Sequence, residues 1–203
     1  MTNEMHIQSF VFGLFGTNTY VVSYKDRVFI IDPACSSQYE QQQLYAAVNP
    51  LLQSGAQLTV LATHGHLDHL WGAKWVCEQW HTEVMMHEAD IPFAQAMQEQ
   101  YDLFRISRPV EPFPIRSLEE TESPFEILHT PGHTPGSVCF YCSEEQVLFS
   151  GDTLFRSGYG RTDLPGGDYY QLITSLRRLF TLPPDTRVYP GHDAPTTIYA
   201  ENR

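Results

Sequence analysis

Thr63-His64-Gly65-His66-Leu67-Asp68-His69 places three imidazoles and a carboxylate on one short stretch, directly after the apolar run Leu58 to Ala62. From the composition of the chain, His-x-His-x-Asp-His should arise by chance roughly once in a thousand such sequences. Imidazole and carboxylate are ordinary ligands of divalent transition metals. Four such groups cannot all be buried as satisfied core groups without a partner, since each unpaired polar group costs about 1–3 kcal/mol. A bound cation removes that cost. Two plainer readings compete, an exposed polar loop and a closed structural zinc site. Structural sites favour Cys and four ligands, whereas this chain offers His and Asp in excess, which favours an open catalytic site.

Three further ligand types each follow a predicted strand at a glycine-containing turn: His133 in Thr130-Pro131-Gly132-His133-Thr134, Asp152 in Ser150-Gly151-Asp152-Thr153, and His192 in Tyr189-Pro190-Gly191-His192-Asp193. Strand ends deliver side chains to a common edge of a sheet, where binding and catalytic groups collect. Singly each turn is unremarkable; it is their joint arrangement after the first cluster that carries information.

Taken together, His64-x-His66-x-Asp68-His69 with His133, Asp152 and His192 resembles the seven-ligand set of the metallo-β-lactamase fold superfamily, over almost the whole chain. The resemblance implies an α/β fold, a four-layer αβ/βα sandwich of two mixed β-sheets with helices on the outer faces. It also implies a two-metal centre between the sheets, with His64, His66 and His133 on one ion, Asp68, His69 and His192 on the other, and Asp152 bridging. True β-lactamases usually lack a carboxylate at the place of Asp152, so the resemblance points to the glyoxalase II branch. Thr17-Asn18-Thr19-Tyr20 is similar to that branch's first-hairpin signature.

Two departures narrow what is implied. Where glyoxalase II has a Gly-Cys-Gly-Lys-Phe-Tyr-like segment that helps bind glutathione, this chain reads Gly158-Tyr159-Gly160-Arg161-Thr162-Asp163. Arg161 can hold a substrate carboxylate or pair with Asp163; the aspartate cannot mimic the tyrosine. The stretch after His192 is also too short for that family's helical C-terminal domain, so residues 1–203 are expected to form a single metallo-β-lactamase-like domain without it. The Gly160 to Asp163 run is similar to that of short glyoxalase-II-like hydrolases and of persulfide dioxygenases.

Two divalent ions sharing one water lower its pKa from about 15.7 to near 7. The expected reaction is therefore attack of a metal-bridging hydroxide on a thioester or related small ester, with Asp68 orienting the nucleophile and the developing oxyanion stabilised on a metal. A thiolate leaving group, of thiol pKa about 8.5, needs little acid help. Imidazole-rich ligation favours Zn²⁺, with Fe or Mn as alternatives. Asp32, before Pro33 at a strand end, either fixes a ligand histidine's tautomer or caps a turn. Two other classes compete: a persulfide dioxygenase with one iron on His64, His133 and Asp152, and a non-catalytic, metal-stabilised interaction module.

The elements that must hold these residues alternate in kind. Ile7 to Phe12, Thr19 to Tyr24 and Val28 to Ile31 are short, β-branched and aromatic, and read as a meander of strands. A helix runs from Ser37 to Gly55, with Ser36-Ser37 and Glu40 as its N-terminal cap and the glycine as its stop. The strand Leu58 to Ala62, a helix Trp71 to Trp80, the strand Glu83 to Met86 and a helix Ala89 to Gln100, with its early Pro92, follow. Tyr101 to Glu122 is undecided, and Tyr101, Phe104 and Phe113 are placed to line a substrate wall. Strands return at Phe125 to Leu128, Ser137 to Tyr141 and Val147 to Phe149, then a helix Tyr169 to Phe180 and the strand Arg187 to Tyr189. This order suggests two similar halves packed sheet to sheet.

Composition excludes several partners. The 203-residue chain carries 12 Lys and Arg against 24 Asp and Glu, a net charge of −12, and its lysines are Lys25 and Lys74. A phosphate-binding surface is not expected, hence neither nucleic acid nor an anionic membrane; a small-molecule substrate is. Met1 to Gln8 lacks the basic flank and apolar stretch of a secretory signal, and no run reaches the ~18 apolar residues of a membrane span, so a cytoplasmic location is expected. Oligomeric state is not legible. Cys35, Cys77, Cys139 and Cys142 are expected as reduced, buried thiols; Cys139 and Cys142 resemble half a zinc ribbon, but three apart on a strand they face opposite sides. His6, His81, His87 and His129 lie away from the motif turns, and Trp71, Trp75 and Trp80 read as packing residues.

Overall fold

The computed structural model describes residues 4–118 and 123–202. Met1, at the head of the Met1 to Gln8 segment, and the end of the undecided Tyr101 to Glu122 stretch lie outside the described residues.

The first sheet has six strands in the order of the sequence: β1 (His6–Phe12), β2 (Thr17–Tyr24), β3 (Arg27–Ile31), β4 (Gln57–Leu61), β5 (Val84–Met86) and β6 (Ile115–Ser117). The meander β1 to β3 is antiparallel, and β3 to β6 run parallel. Parallel neighbours need crossovers on a sheet face, and α1 (Gln38–Gln53), α2 (Ala73–Trp80), α3 (Ile91–Gln95) and α4 (Met97–Leu103) lie in those connections. The expected cap on α1 forms as a capping box, with Ser37 accepting from Glu40 and Glu40 returning to the Ser37 amide.

After β7 (Glu126–His129), β8 (Val138–Cys142) and β9 (Val147–Gly151), the chain makes a small hairpin, β10 (Leu154–Phe155) and β11 (Gly158–Tyr159). It then forms α5 (Tyr169–Leu179), β12 (Arg187–Pro190), β13 (Thr196–Thr197) and α6 (Ile198–Glu201). The second sheet is ordered β13-β12-β9-β8-β7, with β9 and β12 parallel and the other pairs antiparallel.

Alternation along the strands sorts side chains into three apolar layers. Val28, Ile30 and Val60 face the helices of the first half; Phe29, Ile31 and Leu61 meet Phe140, Val147 and Phe149 between the sheets; Cys139, Tyr141 and Leu148 pack under Leu172, Leu176 and Leu179 of α5. Helices outside, sheets inside, is the expected four-layer αβ/βα sandwich. Strands covered on both faces read as unbroken apolar runs, which is why β3, β8 and β9 carry no polar alternation. Cys139 and Cys142 sit in different layers, and all four cysteines are free and buried.

Two expectations are corrected. The helix over Ala89 to Gln100 is interrupted: a short turn, Glu88–Asp90, leads into α3, and the chain breaks at Ala96 (φ −85°, ψ 32°) before α4. There Gln100 Nε2 donates to Phe93 O at 2.9 Å, a side-chain bond that apolar periodicity cannot announce. The helix drawn from Trp71 begins at Ala73, because the Gly72 amide donates instead to Pro33 O at 2.8 Å. The strand β6, three residues long, escapes a period count altogether. Among the described residues no helix is long and apolar enough to cross a membrane.

Candidate metal centre

All seven predicted residues come to one place, in loops that follow strands: His64, His66, Asp68 and His69 after β4, His133 after β7, Asp152 after β9 and His192 after β12. Glycine is required beside two of them by space. A Cβ on Gly151, itself at φ +49°, would meet Thr63 Oγ1 at 2.5 Å, and one on Gly191 would overlap Asp152 Oδ1.

The donor atoms form sets. His64, His66 and His133 make one, Asp68, His69 and His192 another, and His64, His69 and Asp152 a third between them, the atoms of each set lying within 4.8 Å of one another. His66 Nδ1 is 3.2 Å from His64 Nε2 and 2.9 Å from His133 Nε2. Asp152 Oδ1 is 3.2 Å from His69 Nε2, and its Oδ2 is 3.4 Å from His133 Nε2 and 3.5 Å from His192 Nε2. Asp68 Oδ2 lies 3.5 Å from His69 Nε2 and 3.3 Å from His192 Nε2.

Partners outside the cluster fix which ring nitrogen carries the proton. His69 Nδ1 donates to Asp32 Oδ2 at 2.8 Å. His133 Nδ1 donates to the Arg161 carbonyl at 2.7 Å. Thr63 Oγ1 spends its single proton on Asp32 Oδ2 at 2.7 Å, so its contact with His64 Nδ1 at 3.1 Å has the imidazole as donor. In all three rings the neutral tautomer leaves Nε2 bare and pointing inward. His69 Nε2 and Asp152 Oδ1 are buried without a hydrogen-bond partner. In the neutral ring this nitrogen would face a carboxylate oxygen lone pair to lone pair, so positive charge belongs between them and the donor set fits a cation.

The electrostatics divide the cluster in the same way. Burial, then the neighbouring imidazoles, holds His64 well below its ordinary pKa; burial, with His133 next, lowers His66 to about 3. Both therefore keep lone pairs at neutral pH. Burial works against the charge on His69 too, but Asp68, Asp152 and Asp32 overcome it and raise its pKa well above the usual value. Burial likewise opposes ionisation of Asp68 and Asp152, and His69 leads the interactions that keep both below the usual carboxylate range. One half of the cluster repels protons, and the other recruits positive charge.

The first hairpin braces the centre on both sides, holding Asp68 after β4 of its own sheet and the His192 loop of the opposite one. Thr17 Oγ1 donates to Asp68 Oδ2 at 2.6 Å; Asn18 Nδ2 donates to Pro190 O at 2.9 Å and Asp193 O at 2.8 Å; Tyr20 Oη donates to Pro190 O at 2.6 Å. Thr19 Oγ1 donates to Asp32 O at 2.6 Å. Thr17, Asn18 and Tyr20 thus hold a candidate ligand or its loop, and Thr19 holds the turn that carries Asp32.

Sequence reasoning missed two supports. Buried Asp90 accepts from the Gly65 amide at 2.7 Å, Thr134 Oγ1 at 2.7 Å and the Gly136 amide at 2.6 Å, tying the first ligand loop to that of His133. Gln100 Oε1 accepts from the Leu67 amide at 2.9 Å while its Nε2 donates to Gly65 O at 3.0 Å. In sequence both fall within the predicted helix Ala89 to Gln100, where nothing marks them out. Arg161 forks onto Asp163, Nε to Oδ1 at 2.6 Å and Nη2 to Oδ2 at 2.7 Å, at the surface. Of the aromatic wall, only Phe104 lines the cavity beside His66; Tyr101 is buried and borders a separate cleft with Asp102 and Arg105, and Phe113 packs against the first helical layer. His87 and His129 stack on each other, centroids 4.3 Å apart.

The family model described as the metallo-beta-lactamase superfamily matches residues 12–192. Hydroxyacylglutathione hydrolase GloC of Haemophilus influenzae is 35% identical, over 83% of this chain and 89% of its own. The crystal structure of TTHA1623 in a di-iron-bound form superposes with a TM-score of 0.83 at 36% identity, covering 97% of each chain. That of BLEG-1, a B3 metallo-beta-lactamase, gives 0.80 at 31% identity, covering 97% of this chain and 96% of its own.

Proposed function

The chain belongs to the metallo-beta-lactamase superfamily, and from that premise we propose that it hydrolyses a thioester or related small ester with two divalent metal ions. In this reading His64, His66 and His133 hold one ion, Asp68, His69 and His192 the other, and Asp152 stands between them. The observation that carries it is the facing pair of buried atoms without a hydrogen-bond partner, His69 Nε2 and Asp152 Oδ1, at 3.2 Å, where positive charge must lie. Ions bound there supply Lewis acidity toward a carbonyl and a water whose pKa falls from about 15.7 to near 7.

The chain's own groups do the rest. Asp68, pinned through Oδ2 by the Thr17 hydroxyl, orients the attacking water. The Nδ1 protons of His64, His69 and His133 are committed to Thr63, Asp32 and Arg161, so these rings have no proton to give a departing group. A leaving group that departs as its own anion suits such a site, and a thiol of pKa about 8.5 does so where an amine does not. Arg161 enters through its main-chain carbonyl; its guanidinium, already forked onto Asp163, is not assigned to the substrate. The kinship with hydroxyacylglutathione hydrolase GloC supports a thioester, and the di-iron form of TTHA1623 supports a two-ion centre in which iron is a candidate beside zinc.

The test is elemental analysis of protein purified without added metal, with thermal midpoint and turnover of thioesters, lactones and β-lactams measured before and after chelation. Two metal equivalents, a midpoint that falls on chelation, and thioester cleavage that returns with metal are expected. A single tightly bound iron with oxygen uptake on glutathione persulfide, or zinc-loaded protein that opens β-lactams and no thioester, would replace the proposal.

A further inference from the structure

We propose that the substrate carries an uncharged, apolar arm next to its reactive carbonyl, seated in a cavity between the α3–α4 pair and the loop at Leu164. The inference rests on the ester-hydrolase reading and deepens it by naming the substrate class. The cavity has a volume of about 500 Å³, within the range of small-molecule sites. His66 stands at its inner end, and Pro92, Phe93, Leu103, Phe104 and Leu164 supply apolar walls. An arm lying there runs directly from the candidate metal centre.

Charge argues against an anionic arm. No Lys or Arg lines the cavity among the described residues, and the one acidic side chain, Glu99, would repel a carboxylate. Arg161, whose main-chain carbonyl accepts from His133 Nδ1, has its guanidinium neutralised by a bidentate bond to Asp163. The peptide carboxylates of a glutathione thioester therefore find no counter-charge here, whereas an alkyl or aryl group gains the full benefit of leaving water.

The walls are also fastened to the chemistry. Gln100 of α4 hydrogen-bonds both Leu67 N and Gly65 O of the ligand loop. Phe93 spans the gap: a Cβ on Gly65 would meet its Cβ at 2.9 Å, and one on Gly166 would meet its Cζ at 2.5 Å. Phe104 is braced from outside by the edge of Phe15, centroids 5.5 Å apart. Leu103 at the mouth is 54% exposed, an apolar surface that an arm would cover.

The experiment uses metal-loaded protein and thioesters of N-acetylcysteamine in two series, one lengthening the acyl side and the other the thiol side, with S-lactoylglutathione for comparison. In one series kcat/KM should rise about fourfold per methylene until the cavity fills, and that series identifies which side of the ester enters. Calorimetric binding of non-hydrolysable thioethers supplies a second readout. An S-hexyl thioether should bind at least tenfold more tightly than its S-carboxypentyl analogue, and Leu103→Arg, which supplies the counter-charge the cavity lacks, should erase that preference. Flat series, equal binding of the two thioethers, or a preference indifferent to Leu103→Arg would overturn the inference while leaving ester hydrolysis standing. Retained thioether preference without turnover of any thioester would instead overturn the hydrolase reading.

Discussion

Asp32 and His69, 37 residues apart in the chain, meet at 2.8 Å through Oδ2 and Nδ1. Because the carboxylate can only accept, the imidazole proton is fixed on Nδ1 and Nε2 is left for the centre. Asp32 also takes the Thr63 amide and hydroxyl, both at 2.7 Å, and sits at φ +54°, a backbone conformation that Asp and Asn tolerate. Asp32→Asn keeps shape and backbone but sets an amide against these donors. Metal retention in a chelator competition should weaken about 10–100-fold, with turnover falling in step. Unchanged metal affinity would reduce Asp32 to a turn cap.

Thr17 of β2 reaches Asp68 in the loop after β4, and its side chain is fully buried. Thr17→Val preserves volume and removes the hydroxyl alone. A hydrogen bond to a charged group contributes about 1.5–3 kcal/mol, so kcat should fall about 10–100-fold while metal content stays at its wild-type value. A change within twofold would show that Asp68 is oriented without it.

Acid stability should report on Glu40. Burial pulls its carboxyl upward, but the Gly13, Ser36 and Ser37 amides and the Ser36 hydroxyl outweigh burial and hold its pKa below the ordinary value. A folded-state pKa below the unfolded one stabilises fully above the usual carboxylate range, and that contribution disappears as pH falls through the folded value. Urea midpoints of wild type and Glu40→Gln should therefore differ most at neutral pH and converge in acid. Parallel curves from pH 7 to pH 3 would contradict the assignment.

Burial raises the thiols of Cys35 to about 12 and of Cys77 and Cys139 to about 11. The thiolate is the reactive species, so native protein at pH 8 should resist iodoacetamide at these three positions and take label there once unfolded. Mass spectrometry after a short exposure reads the difference. Prompt native labelling of Cys139 would mean that the layer beneath α5 opens freely.

The ligand types were legible because they are local. A loop of His64, His66, Asp68 and His69 after a buried strand declares metal chemistry on its own, and the glycines before His133, Asp152 and His192 mark turns at strand ends. Apolar runs long enough to show a period also declared themselves, which is why β3, β4, β9, α1 and α5 lie within a residue or two of expectation. The interrupted helix at Ala96 and the short strand β6 did not, since a side-chain bond decides the first and pairing with β5 the second.

What the tertiary structure alone decided is distance. Which nitrogen of His69 faces inward depends on Asp32, the placing of Asp68 on Thr17, and the joining of the His64 and His133 loops on Asp90. These contacts span dozens of residues: the first two exist only once the strands of the first sheet have paired in register, and the third only once the two sheets have packed. The sequence specifies the candidate ligands and their turns through local chemistry; their convergence around a shared pair of unpartnered atoms is a property of the packed sandwich.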